Sequence, residues 1–167
     1  MFFGDIALAF QAVNREILLV RLHEAGVPPR LWQHVRVLHH TLKYRILHGH
    51  TANNPYIEIF KGLTEGGRLP PLLWGLYIAD LVTTIRRDFP DTALPSPYAL
   101  TLMVILLYVD DFCLIASSVA HLLVMMQTTQ TWCENNRLTV STKSKVMVFH
   151  ESRKTRVTRG LTQWNIR

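Results

Sequence analysis

Three carboxylates constrain this chain more than any other feature, because each one breaks a stretch that otherwise reads as buried strand. Asp5 interrupts the apolar run Phe2 to Phe10, and Asp110 with Asp111 separates the apolar stretches Leu100 to Leu107 and Phe112 to Ala116. Burying a carboxylate costs roughly several kcal/mol unless it is paired or bound to a cation. A fold that keeps these acids must turn them to solvent or give them a positive partner. A hard divalent metal is the natural partner, since magnesium is held through one or two carboxylates plus substrate phosphates. Two such ions can clamp the attacking and leaving oxygens of an in-line phosphoryl displacement. The plainer alternative is an acidic hairpin turn, with Asp5 ending a strand.

Composition sets the frame for that choice. A chain of 167 residues with 49% hydrophobic and 18% charged residues has the make-up of one folded domain and excludes a disordered one. Cys113 and Cys133 lie in apolar-periodic segments without CxxC spacing, so neither a disulfide framework nor a zinc site is expected. A reducing, intracellular setting is the default expectation, with nucleus and cytoplasm both open. The opening Met1-Phe2-Phe3-Gly4-Asp5 lacks the basic region of a signal peptide. The longest apolar run, Tyr98 to Tyr108, is about half the roughly 20 residues of a membrane helix, so no membrane partner is expected. Charge is unevenly spread: ten basic residues face eleven acidic ones up to Asn136, whereas eight basic residues face Glu151 alone from Arg137 onward. Such a basic end can neutralise phosphates, although a merely solvated tail has the same composition.

Pro and Gly divide the chain into elements. Phe2 to Phe10 reads as a strand; Asn14 can cap a helix through Ile17, Leu18 and Leu22 that ends at Gly26. Pro29 suits a second helix with Leu31, Val35, Leu38 and Leu42 on one face. Tyr44-Ile46-His48 and Ile57-Ile59 read as two short strands, Pro71 to Arg87 as a helix, and Pro90, Pro95 and Pro97 as a loop. Leu100 to Leu107 and Phe112 to Ala116 form a hairpin with both Asp110 and Asp111 in its turn. Ser117 or Ser118 caps a helix presenting Leu122, Met126, Thr129 and Cys133, and Leu138 to Phe149 returns as strand. The order describes an α+β fold, an antiparallel sheet with helices on one face. His34, His39, His40, His48 and His50 cluster without a zinc-ligand spacing, so metal binding is not expected there.

The segments Asp5-Ile6-Ala7-Leu8-Ala9-Phe10, Gly62 to Leu81 with its Gly66, Pro71-Leu72-Leu73 and Tyr77-Ile78-Ala79-Asp80-Leu81, and Tyr108-Val109-Asp110-Asp111 occur in the order of reverse transcriptase motifs. Leu18 to Pro28, and Trp132-Cys133-Glu134-Asn135 leading to Lys143 and Phe149, extend the likeness. Over Asp5 to Phe149 the chain resembles a reverse transcriptase palm, most similar to the non-long-terminal-repeat retrotransposon and group II intron branch. The resemblance implies a polymerase palm over residues 1–149 with a basic tail at 150–167. It implies RNA-directed DNA synthesis by two-metal nucleotidyl transfer to a primer 3′-hydroxyl, on an RNA template and DNA primer with deoxynucleoside triphosphates. Two Mg2+ ions, with Mn2+ as a substitute, would bind at Asp5 and Asp110, with Asp111 supporting.

By the same resemblance, Phe10 crowds the sugar 2′ position, although a core role at a strand end fits it equally. Glu65 and Gly66 lie under template and incoming nucleotide, Tyr108 belongs to the substrate site, and Lys143 protonates the departing pyrophosphate. The chain departs from the family where Glu65 replaces Gln, Pro70 replaces Ser and Gln11 replaces Asp. One residue fewer between Leu138 and Lys143 leaves Lys145 competing for the lysine role. The family's fingers precede the first Asp motif and its thumb follows the last strand. This chain is therefore expected to be a palm needing both segments as partners and inactive in isolation. A non-catalytic remnant that at most binds nucleic acid is the alternative.

Overall fold

The computed structural model describes residues 1–40, 42–45, 55–64, 66–90, 94–96 and 99–148. Its elements run β1 (Phe2–Asp5), α1 (Ala9–Ala12), α2 (Arg15–Glu24), α3 (Pro29–His40), β2 (Lys43–Tyr44), β3 (Ile57–Glu58), α4 (Leu69–Asp88), β4 (Leu94–Ser96), β5 (Ala99–Met103), β6 (Ile105–Tyr108), β7 (Asp111–Leu114), α5 (Val119–Asn135) and β8 (Lys145–Val146). The class is α+β with antiparallel pairing, as the sequence implies. No described helix is long and apolar enough to cross a membrane. Contacts divide the chain into two compact units, one of Met1–Ala7 with the chain from Asp80 onward, the other Leu8–Ala79. The tail at 150–167 lies outside the described residues.

The first unit is built on a four-stranded sheet in the order β6-β7-β1-β8. Strand alternation gives it two unlike faces. Phe2, Gly4, Phe112 and Leu114 share one face and are buried, with the Phe2 and Phe112 ring centroids 5.8 Å apart. A Cβ on Gly4 would enter the Phe112 ring, so this strand position admits only glycine beneath that ring. Helix α5 packs on β7 and buries the expected row of Leu122, Met126, Thr129 and Cys133 together with Met125 and Trp132. Ser118 caps it by accepting from the His121 N–H, and Trp132 Nε1–H donates to Asp80 Oδ2 of α4 at 2.8 Å. Burial, with Glu134 adding to it, pushes the Cys133 thiol up to about 12.

In the second unit, Asn14 caps α2 through the N–H groups of Glu16 and Ile17, as its position before an apolar-periodic segment implies. Arg15 is the hub. Its guanidinium donates to the carbonyls of His39 (2.7 Å), Gly62 (2.9 Å), Lys61 (3.1 Å) and Ile59, tying α2 to the end of α3 and to the segment after β3. Burial lowers its pKa from the usual guanidinium range, yet five fixed donors suit this carbonyl cluster.

Several sequence expectations are corrected. On α3 the buried row is Val35 and His39, while Leu31 and Leu38 are exposed. Burial of an imidazole is tolerated because His39 Nδ1 donates to the Val35 carbonyl at 2.9 Å. The loop expected at Pro95 is strand β4, paired with β5 across an irregularity at Pro95/Ser96, an edge position where a missing N–H is harmless. The strand Leu100 to Leu107 breaks at Val104, sending β5 to β4 and β6 to β7. In the strand expected over Leu138 to Phe149, the described residues 138–148 hold only β8 and a bridge from Val140 to Ile6. Ser141 prevents a longer strand: Lys143 N–H donates to its Oγ, and Ser144 Oγ donates to its carbonyl. Of the strand expected at Tyr44-Ile46-His48, Tyr44 lies in β2, and residues 46–54 lie outside the described residues.

Candidate functional site

Strand β1 delivers Asp5 to the end of the sheet where β6 turns into β7. The register pairs Asp5 with Asp111, and Asp111 in turn with Tyr108. Paired residues point to the same face, so Tyr108, Asp111 and Asp5 form one row across three strands. The next row on that face holds Leu106, Cys113, Phe3 and, on β8, Lys145. This face is the open one: Tyr108 is 79% exposed, and Phe3 and Leu106 are exposed too, although Cys113 is buried.

The turn itself is Val109-Asp110, so of the two acids expected there only Asp110 is in it and Asp111 belongs to β7. Val109 has φ 56, which a two-residue hairpin of this twist normally assigns to glycine. Asp110 is locked to the first strand, since its carbonyl accepts the Ile6 N–H at 3.0 Å. Asp5 is held from the other side by the Ser141–Ser144 turn. Ser141 N–H donates to the Asp5 carbonyl at 2.7 Å, and Asp5 N–H donates to Ser144 Oγ at 3.3 Å. All three acidic residues thus sit at one sheet end, with Asp5 and Asp110 partly buried and Asp111 exposed.

Among the described residues, no three His, Cys, Asp or Glu side chains come together as a metal-binding group. The donor set nevertheless has the chemistry of a magnesium site completed by a substrate, because magnesium takes one or two carboxylates and leaves its other positions to water and phosphate. A preformed cage of protein ligands is not what these residues offer.

Model sequences of known families settle the affiliation. The family described as reverse transcriptase (RNA-dependent DNA polymerase) matches residues 1–161. The chain belongs to the reverse transcriptase family. No curated protein matches it.

The remaining residues implied for a reverse transcriptase palm fall as follows. Lys143 sits in the turn that grips the Asp5 backbone, and Lys145 lies on β8 across from Phe3, on the face that carries Asp5. In the second unit, Phe10 is half-buried with its ring 5.9 Å from that of Trp74, which stacks on Tyr77 at 6.1 Å. Gly66 has φ +85 with open space where a Cβ would lie, so backbone conformation and not crowding demands glycine there. Glu65 lies outside the described residues.

Sequence reasoning missed Ser141 and Ser144, which position Asp5 through its backbone. The signal was present in the Ser-Thr-Lys-Ser run, a turn composition, but an apolar flank on both sides favoured a strand reading.

Proposed function

We propose that this chain is the palm of a retroelement reverse transcriptase of the non-long-terminal-repeat or group II intron type. It would join a primer 3′-hydroxyl to the α-phosphate of a deoxynucleoside triphosphate opposite an RNA template. The observation that carries the reading is the convergence of Asp5, Asp110 and Asp111 at one end of an open sheet face beside exposed Tyr108. Asp5 and Asp110 would hold magnesium, or manganese in its place, with Asp111 supporting. Once bound, the two ions supply the positive charge that the gathering phosphate oxygens need.

The chain's own residues account for positioning. The Ser141–Ser144 turn and the Asp110 carbonyl fix the backbone at Asp5 and Ile6 against β7, so the point from which the Asp5 side chain springs needs little reorganisation when substrate arrives. Tyr108 offers a ring edge beside the primer end. Lys143 is read as the proton donor to pyrophosphate, a general-acid role, with Lys145 as the competing lysine on the Asp5 face. Phe10 is read as the ring under the sugar, braced by Trp74. RNA template, DNA primer, deoxynucleotides, and fingers and thumb segments are the partners, and the basic C-terminal stretch suits phosphate contact.

The test is primer extension on an RNA template by the chain joined to the fingers and thumb segments of a related reverse transcriptase. Magnesium-dependent incorporation should fall at least roughly 100-fold in Asp110→Asn. One sequence feature favours the second reading, a non-catalytic remnant: Glu65 puts a negative charge where the family carries an amide. No incorporation by the joined chain, with or without Glu65→Gln, selects that reading.

A further inference from the structure

Within the Leu8–Ala79 unit, backbone contacts close a ring around one side chain. Helix α1, which carries Phe10, is four residues long, too short to hold its own conformation in water. Its last carbonyls find no partner inside so short a helix and must be met from outside. The donors come from the segment that follows β3. Leu63 N–H donates to the Phe10 carbonyl at 2.8 Å, and Gly62 N–H donates to the Val13 carbonyl at 2.8 Å. Gly62 has φ +84 and lies so close to Gln11 that a Cβ would come within 2.8 Å of its carbonyl oxygen and 2.9 Å of its Cα. That contact is backbone on backbone, so neither side yields cheaply.

Residues 59–63 lie outside helix and strand, so no ladder orients those two amides. Arg15 orients them. In a trans peptide the C=O of one residue and the N–H of the next are the two ends of a single rigid plane. Arg15 takes the Lys61 carbonyl at 3.1 Å, and the other end of that plane is the Gly62 N–H aimed at Val13. It takes the Gly62 carbonyl at 2.9 Å, and the other end of that plane is the Leu63 N–H aimed at Phe10. The remaining donors go to Ile59 and, at the end of α3, to His39. One planar fork therefore sets both planes at once. The helix that Arg15 begins gains nothing from its charge, because a cation at the first helical position faces the positive end of the dipole.

We propose that Arg15 is a positioning residue for Phe10, holding α1 through these two peptide planes so that the Phe10 ring keeps the angle at which it selects a sugar without a 2′-hydroxyl. The proposal rests on the reading of Phe10 as the ring under the sugar. Trp74, its ring 5.9 Å from that of Phe10, meets the side chain, whereas Arg15 sets the backbone from which that side chain springs.

The first measurement needs no activity and uses the full chain. A fluorine on the para carbon of the Phe10 ring should give one sharp NMR line. Arg15→Lys keeps the charge but not the fork, and Gly62→Ala pushes the same segment off Gln11 while leaving Arg15 in place; each should broaden or split that line. A fluorine placed likewise on Phe112, in the other unit, should keep its line in both variants. An unchanged Phe10 line in both variants overturns the proposal. Equal broadening at Phe10 and Phe112 in both variants also overturns it, since Arg15 and Gly62 would then serve the fold at large. The second measurement uses the chain joined to fingers and thumb segments. Arg15→Lys should cut the ratio of kcat/KM for deoxynucleotides over ribonucleotides by roughly tenfold, whereas a merely structural loss lowers both and leaves the ratio. An unchanged ratio overturns the assignment of Arg15 to sugar selection. No incorporation by the joined, unmodified chain is a separate result: it ends the polymerase reading and sugar selection with it, while the fluorine line still reports whether Arg15 holds the ring.

Discussion

Val109 holds a conformation that a β-branched residue adopts only under constraint. Its φ of 56 sits between Tyr108 and Asp110 in the two-residue turn from β6 to β7, and such a position costs a non-glycine residue about 1–3 kcal/mol. Val109→Gly should therefore raise the unfolding free energy by about 1 kcal/mol in a urea titration, after allowing for the entropy glycine loses on folding. No gain would mean that the hairpin is relaxed. Gly4 makes the opposite case. Gly4→Ala drives a methyl into the Phe112 ring and should destabilise by about 1–3 kcal/mol, read by the same titration. The three acids were legible in the sequence because charge inside apolar stretches is conspicuous. Gly4 was not, since a strand glycine says nothing about which distant ring will lie over it. The sequence puts Asp111 in the turn whereas it belongs to the strand, because composition marks a hairpin but not its two central positions.

At the scale of elements, caps were the most readable feature. Asn14 starts α2 as its position before an apolar-periodic segment implies, and of the two serines that position offers for α5, Ser118 is the cap. Strand ends were the least readable: β8 shrinks to two residues because serine hydroxyls compete for its backbone, and β4 forms around a proline because it needs only one partner. The buried face of α5 has a measurable pH consequence. Cys133 is raised to about 12 from an ordinary 9.0. A thiol whose folded pKa exceeds its unfolded one lends stability below the unfolded value, and that stability fades as pH rises toward the folded value. Between pH 9 and 11 the unmodified chain should lose roughly 1 kcal/mol more per pH unit than Cys133→Ala. Denaturant titrations across that range, with both chains in reductant, check it; parallel slopes would place the thiol in contact with water.

For the whole molecule, the governing fact is that β1 lies between β7 and β8. Its position brings the three aspartate residues to one sheet end, which was foreseeable only through family resemblance, since periodicity reveals strands but not their spatial order. Removing residues 1–7 would leave two facing strand edges unpaired. The shortened chain should lose most of its far-ultraviolet strand signal and elute as aggregate in gel filtration, and a monomeric product with intact sheet would show that β1 is dispensable. The same placement imposes a schedule on biosynthesis. Strand β1 leaves the ribosome about a hundred residues before β7, a wait on the order of 5–20 s at roughly 5–20 residues per second. During that interval Leu8–Ala79 emerges and can assemble from contacts within itself, while Phe2 and Phe3 wait for partners not yet made. A nascent chain of this kind is most vulnerable to misassociation early, and synonymous codons that slow translation after Ala79 would lengthen that window rather than relieve it.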